Sequence, residues 1–226
     1  ETLTLDRLIE ESDGVVIGSD VGGSEDLFSV CILGRRTDAE GRKHWSAINR
    51  SFFYRSSLNR RLSVKSSLDD FVRAGELRLI GEAQEAYQDI VDIVRRIQDA
   101  GKLCALGVDA ERPGDLAEVL TDVVDVDSMV FGIRQGWRLT GALQTLERML
   151  EEGRFKHQKS ALMRWCLGNA KIVAHGASAR SVAKQVESGG KIDAFMSLLT
   201  AASLMATNPE PKGYAYADGR GLFIIG

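Results

Sequence analysis

The sequence predicts an α/β fold: a mixed sheet, built from an antiparallel three-stranded meander plus parallel strands, with helices on both faces. Three observations lead to this prediction. Strand-like apolar runs near the N-terminus are separated only by short polar turns, as antiparallel neighbours usually are. Later apolar runs alternate with helical patterns, as parallel strands usually do. With 226 residues, 44% of them hydrophobic, the chain is long enough to bury one substantial core.

The first half of the chain supplies the meander. Residues 1–13 are predicted to form a short helix or linker that extends a single domain over 14–226. The tight turn "GGSED" and the polar turn "RTDAEGRK" join the three strands. We expect the basic segment "YRSSLNRRLSVKSS" to be irregular and "SLDDFVRAGEL" to be a short helix. The predicted strands are 15–22, 27–33 and 44–54.

The second half supplies the parallel strands and most helices. A helix over 83–100 is expected to end at Gly101. The run "KLCALGVD" is apolar throughout, as buried parallel strands are. The remaining predictions are a helix over 114–122, a strand over 126–133, a leucine-rich helix over 139–150, a short helix in "SALMRWCLGN", a strand in "AKIVAH", a hairpin over about 172–187, an apolar helix over 192–206 and a closing hairpin on an Asp218-Gly219 turn.

Composition excludes several classes of protein. Cys31, Cys104 and Cys166 lie far apart in apolar surroundings, which argues against disulfides and zinc and favours a reducing compartment. The longest apolar stretch, of about 12 residues, is too short to cross a bilayer, which needs about 20. The net charge is −3, yet 35–65 carries nine bases against two acids. Such segregation can present a positive face to a polyanion, although solvated loops would give the same pattern.

Three aspartates form a candidate metal site. Asp20 ends the apolar run of the first strand and Asp109 ends that of the fourth, so parallel neighbours would place both at one edge of the sheet, where ligands of open α/β sheets collect. Asp193 begins a helix whose other residues are almost all apolar. Hard cations neutralise converging carboxylates, and two Mg²⁺ or Mn²⁺ ions can hydrolyse a phosphodiester. Each acid also has a local interpretation, as a turn former, a helix cap and a first-turn helix acid respectively.

Six ordered pieces of the sequence resemble one protein family. They are "GSDVGGSEDLFSV", "LDDFVRAGELRLI", "LCALGVDAERPGDL", "QGWRLTGALQTLERMLEEGRFKH", "LMRWCLGNAKIV" and "KIDAFMSLLTAASLMA". Together they are similar to the nuclease domain of the large terminase subunit of tailed bacteriophages, in the branch typified by phage HK97. The resemblance implies an RNase H-like fold and makes Asp20, Asp109 and Asp193 the metal-binding catalytic acids. It implies a metal-dependent endonuclease that cuts concatemeric double-stranded viral DNA.

The resemblance also implies partners that this chain does not carry. Family members join the nuclease to an N-terminal ATPase motor and work with a small terminase subunit and the portal in the host bacterial cytoplasm. No GxxxxGK[ST] motif occurs in these 226 residues. Since the chain begins with Glu1 rather than Met, we expect it to be a fragment without the motor half. A second departure is "VDAERPGDL", where the family pattern has Pro and an aromatic after the acid.

Cationic residues are the candidates for DNA contacts. Lys191, two residues before the third acid, could orient water or steady the scissile phosphate, or could simply be solvated. Arg180 and Lys184 lie on the predicted hairpin near the acidic edge and could bind phosphate. His157 and Lys159 follow a basic stretch and could contact the DNA backbone.

Two other functions remain open at this level. The stretch "DVGGS" also resembles the first phosphate loop of sugar kinases and actin-like ATPases, although a second such loop is missing. A non-catalytic DNA clamp, in which the acids are incidental, is the other possibility.

Overall fold

The computed structural model describes residues 3–23, 25–58, 60, 62–111, 114–185 and 190–212, and the backbone of 223–225. Within these residues the strands form an eight-stranded mixed sheet and a separate two-stranded sheet. Helices cover both faces of the larger sheet. The predicted fold class is therefore confirmed.

The first half contains the meander and the helices that flank it. Thr4 caps the first helix, because its hydroxyl accepts a hydrogen bond from the Arg7 N–H. The elements are α1 (Leu5–Glu11), β1 (Gly14–Val21), β2 (Phe28–Thr37), β3 (Lys43–Tyr54), α2 (Arg55–Leu58), α3 (Leu62–Arg73), β4 (Leu77–Ile80) and α4 (Ala83–Asp99).

The second half alternates strands and helices. Its elements are β5 (Leu103–Asp109), α5 (Gly114–Leu120), α6 (Val126–Met129), β6 (Val130–Ile133), a 3₁₀ turn (Gly136–Leu139), α7 (Thr140–Glu151), β7 (Phe155–His157), α8 (Ala161–Gly168), β8 (Ala170–His175), β9 (Ala179–Lys184), α9 (Asp193–Ala206) and β10 (Phe223–Ile225).

The strand order of the large sheet is β10-β6-β5-β1-β2-β3-β4, and β7 also pairs with β3. Strands β1, β2 and β3 are antiparallel, as the short turns predict. Strands β5, β6 and β10 each run parallel to their neighbour toward β1. The first and fourth strands of the sequence prediction, β1 and β5, are therefore adjacent and parallel.

Helices bury the two faces of this sheet separately. Val16, Leu33 and Ala47 pack with α7, α8 and α9 on one face. Val15 and Ile32 pack with α1, α4 and α5 on the other, because successive strand residues point to opposite faces. Helix α1 is thus part of the packed core, and the predicted domain boundary at residue 14 remains a prediction. No helix among the described residues is long and apolar enough to cross a membrane.

Several element predictions are wrong in detail. Residues 126–129 form helix α6, so the predicted strand 126–133 shrinks to β6. Much of the segment expected to be irregular is helical, since α2 and α3 span 55–58 and 62–73. Strands β4 and β7 were not predicted, because each is too short to show a periodicity. The predicted closing hairpin lies largely outside the described residues, and 223–225 pair in parallel with β6.

Candidate active site

The register of β1 and β5 places two of the predicted acids at one edge of the sheet. Gly18 is paired with Gly107, and Asp20 and Asp109 each lie two residues further along their strands, at or next to the last strand residue. Because alternate strand residues share a face, both aspartates lie on the face that carries the two glycines. The Ser19 hydroxyl donates to the Gly107 carbonyl at 3.0 Å and holds the strand ends together.

Gly18 lets the backbone of α9 approach this face, and Gly107 leaves room for side chains of the same helix. A Cβ atom on Gly18 would lie 2.2 Å from the Ala201 nitrogen and 2.5 Å from the Ser197 oxygen. At Gly107 a Cβ would lie 2.9 Å from the Thr200 side chain. A side chain at Gly18 would push the helix away, and one at Gly107 would collide with the Thr200 and Leu204 side chains. The close packing fixes α9 on the face that carries both strand-end acids.

Asp193, at the first turn of α9, completes the group of acids at this edge. It is only 5% exposed. A Cβ atom on Gly22 would lie 3.1 Å from its Oδ1 and 2.4 Å from the Cβ of Asp26. Gly22 directly follows β1, and because it has no side chain, the loop behind Asp20 can pass close to Asp193.

Burial and mutual repulsion raise the pKa values of two of these acids. The pKa of Asp20 is raised to about 7, first by burial and then by the charge of Asp193, with smaller contributions from Asp109 and Asp26. Burial, followed by the charge of Asp26, raises the pKa of Asp193 to about 6. The Asp193 Oδ2 atom is buried and has no hydrogen-bond partner among the described residues. A bound cation would relieve both the repulsion and the missing partner.

Asp109 interacts less strongly with the group of acids than Asp20 and Asp193 do with each other. Its Oδ1 accepts the Glu111 backbone N–H at 2.9 Å, which is the local turn interaction that its sequence context also allows. Within the described part of the chain, no three His, Cys, Asp or Glu side chains form a group that could hold a metal ion by themselves. A pair of carboxylates still fits Mg²⁺, which usually binds one or two and completes its shell with water and phosphate.

A fourth acid, Asp26, was missed in the sequence. Its Oδ1 accepts from Lys191 Nζ at 2.6 Å and from Lys184 Nζ at 3.1 Å. Although burial raises the pKa of Asp26, these two hydrogen bonds bring it below its usual value. Lys191 is 3% exposed and also donates to the Glu25 carbonyl. Asp26 looked like a turn residue in "GGSED", and only its contacts with distant lysines reveal its place beside Asp193.

The other predicted DNA-binding residues are not all brought to this edge. Arg180, on β9, forms a two-pronged ion pair with Glu147 of α7, at 3.0 and 2.6 Å. His157 and Lys159 are exposed beside a separate apolar groove of about 360 Å³ between α7, α8 and β7. Of the four predicted DNA contacts, only Lys184 lies against the group of acids.

Gln135, two residues after β6, is a second residue that the sequence predictions missed. Its Nε2 lies 3.4 Å from Asp20 Oδ1, and this contact partly offsets the rise in the pKa of Asp20. Since β6 runs beside β5, its C-terminal end meets the same edge. The strand-end rule that selected Asp109 could therefore have selected Gln135 as well.

Comparisons with known proteins agree with the fold. The chain is 23% identical over 211 residues to Protein YmfN of Escherichia coli (strain K12), covering 89% of this chain and 45% of that protein. It superposes on the HK97 bacteriophage large terminase with a TM-score of 0.67 at 20% identity, covering 88% of this chain and 42% of that one. The large terminase nuclease from thermophilic phage G20c with bound cobalt gives a TM-score of 0.49 at 15% identity, covering 84% and 80%.

These coverages mean that the chain spans less than half the length of the first two relatives. The architecture it shares with the HK97 protein is the RNase H-like mixed sheet flanked by helices. A family model described as "Terminase large subunit, endonuclease domain" matches residues 11–208, so the chain belongs to the family of terminase large-subunit endonuclease domains.

Proposed function

We propose that this chain is the metal-dependent endonuclease domain of a phage DNA-packaging terminase large subunit, and that it hydrolyses phosphodiester bonds of concatemeric double-stranded viral DNA. The observation that carries the proposal is the buried Asp193 Oδ2, which has no partner in the described part of the chain, beside Asp20, whose own pKa is raised to about 7. Perturbed carboxylates at a sheet edge are typical of sites that bind a cation or act on a substrate.

The metal in this proposal is Mg²⁺ or Mn²⁺, as two ions held by Asp20, Asp193 and Asp109. Such ions would activate a water and stabilise the leaving oxygen of the phosphodiester. The chain itself positions the ligands, because the close packing of α9 on Gly18 and Gly107 fixes Asp193 relative to the strand ends. The unpartnered carboxylate oxygen fits this role, since a hard cation prefers oxygen ligands.

Lys191, Lys184 and Asp26 would set the charge next to the ions. One carboxylate shared by two ammonium groups leaves the three side chains with a net charge of about +1. This excess positive charge would favour the approach of a phosphate, and the buried Lys191 is held in place by its ion pair. Both lysines therefore remain candidates for steadying the scissile phosphate.

The whole protein's partners are part of the same proposal. We infer that a full-length protein would join this domain to an ATPase motor, and would work with the small terminase subunit and the portal in the host bacterial cytoplasm. The support for this inference is the family match and the partial coverage of the relatives.

Plasmid cleavage in Mn²⁺ tests the proposal. We expect the parent to nick and linearise supercoiled DNA, and Asp20→Asn and Asp193→Asn to lose at least about a hundredfold in rate, the scale on which charge-stabilising groups act. Asp109→Asn should lose activity as well. Asp92→Asn, on the exposed surface of α4 on the opposite face of the sheet, is the matched control and should cut normally.

Three results would contradict the proposal. Equal cutting by all the variants would exclude the site. Duplex binding that persists in chelator, without cleavage in any divalent metal, would indicate the non-catalytic clamp. Thermal stabilisation by nucleotide would indicate the kinase-like alternative.

A further inference from the structure

An exposed tryptophan lies on the loop next to the acids. Trp137 is 52% exposed, whereas Trp45 is buried. Trp137 lies two residues after Gln135, whose side chain contacts Asp20. What distinguishes this exposed side chain is its place, because the loop next to the acids offers an aromatic face to a ligand that binds there.

The loop that carries Trp137 is held at both ends. At one end, Gln135 contacts Asp20. At the other end, the Thr140 hydroxyl lies 2.8 Å from the Arg180 carbonyl and accepts the Arg180 N–H at 2.9 Å. Between them, Gly136 has φ +74°, in the left-handed region that favours glycine. The indole is thus presented on a fixed turn, and little conformational entropy is lost when it binds.

Cationic groups beside the indole fit a polyanion. The Arg138 guanidinium lies 4.8 Å from the centre of the Trp137 ring. Arg134 and Arg138 are exposed, and neither has an ion-pair partner among the described residues. By contrast, Arg180, Lys184 and Lys191 are all paired with carboxylates. Arg134 and Arg138 therefore add unpaired positive charge on the loop next to the acids.

We propose that Trp137 and Arg138 bind the DNA strand beside the scissile phosphate, with the indole against a base or deoxyribose and the guanidinium on a backbone phosphate. The inference rests on the proposed function, because the position of the DNA strand is inferred from the position of the catalytic acids. The loop supplies two kinds of contact that nucleic-acid-binding surfaces use, an aromatic face and unpaired positive charge. Trp137 is a binding residue in this scheme and takes no part in bond cleavage.

Steady-state cleavage and duplex binding test the inference together. Trp137→Ala should raise KM, and the Kd for a short blunt-ended duplex, by about tenfold, as expected for loss of one stacking contact. The kcat should stay within about twofold, since the contact is made equally in the ground and transition states. Trp137→Phe keeps an aromatic face and should recover most of the affinity. Leu150→Ala, which removes an equally exposed apolar side chain from α7, is the matched control.

Salt dependence separates the two residues. Arg138→Ala should reduce the slope of log Kd against log salt by about 0.9, the value for one phosphate contact, whereas Trp137→Ala should leave the slope unchanged. Binding is measured in the Asp20→Asn background, so that the duplex stays intact. Quenching of tryptophan emission on DNA addition should be lost in Trp137→Phe, because the remaining indoles are buried or half-buried.

The outcomes distinguish this inference from the proposed function. If the parent neither cuts nor binds duplex in any divalent metal, the proposed function fails. If the parent cuts and Trp137→Ala has the parent's KM and Kd, only this inference is overturned. In that case the exposed indole serves another purpose, such as contact with a protein.

Discussion

Removing the negative charge of Asp20 should stabilise the metal-free protein at alkaline pH. In the folded state the pKa of Asp20 is about 7, against an ordinary value of 3.8. The folded protein therefore binds a proton more tightly than the unfolded chain does. By linkage, the free energy of unfolding falls as the pH rises from about 4 to about 7 and is level above that range. Asp20→Asn carries no charge and should escape this loss.

The size of the effect follows from the two pKa values. Each pH unit between them corresponds to 1.36 kcal/mol, so Asp20 alone would cost the fold about 4 kcal/mol at pH 8. Asp20 as a whole residue is half-buried and its titration is shared with that of Asp193, which reduces the expected cost to about 2 kcal/mol. At pH 4 the parent and the variant should be about equally stable.

Urea unfolding in chelator, followed by circular dichroism from pH 4 to pH 8.5, measures this difference. Adding Mn²⁺ at pH 8 should then stabilise the parent and have much less effect on Asp20→Asn. Asp92→Asn serves again as the control and should follow the parent at every pH. A difference in stability between the parent and Asp20→Asn that stays constant from pH 4 to pH 8.5 would refute the electrostatic reasoning.

Three further substitutions give distinct readouts. Gln135→Ala removes a contact that lowers the pKa of Asp20, so the acidic limb of the cleavage pH profile should move to higher pH; an unchanged limb would show that the contact has no electrostatic effect. Asp26→Asn leaves the buried Lys191 ammonium without its counter-charge, which should cost about 2–3 kcal/mol in urea unfolding, somewhat less than for a fully buried pair. Adding Lys191→Met should restore part of that loss, and a double variant no more stable than the single one would contradict the pairing. Gly18→Ala would force α9 off the sheet and should lower both stability and Mn²⁺ affinity in calorimetry; parent-like Mn²⁺ affinity would show that the close packing does not position the site.

The sequence was sufficient to predict the two strand-end acids because their signal is local. Asp20 and Asp109 each end an apolar run, and the alternation of strands and helices fixes which ends share an edge. The third acid, Asp193, stands out because the helix it begins is otherwise apolar. All three predictions thus depend on the placement of a charge at the boundary of a buried element.

The remaining residues depend on contacts that are distant in the chain. Asp26 meets Lys184 and Lys191 more than 150 residues away, and nothing in its turn distinguishes it from an ordinary polar residue. The pairing of Arg180 with Glu147 is equally invisible, since it requires β9 to lie beside α7. Composition therefore suggested a basic DNA surface without showing which of its charges are already paired.

A crystal structure of the protein soaked in Mn²⁺, with anomalous diffraction data, tests the metal site most directly. We expect anomalous peaks within coordination distance of Asp20 and Asp193 carboxylate oxygens, with one peak next to the Asp193 Oδ2, for which the described residues provide no hydrogen-bond partner. Manganese bound elsewhere in the molecule, with these two carboxylates left free of metal, would contradict the proposed centre.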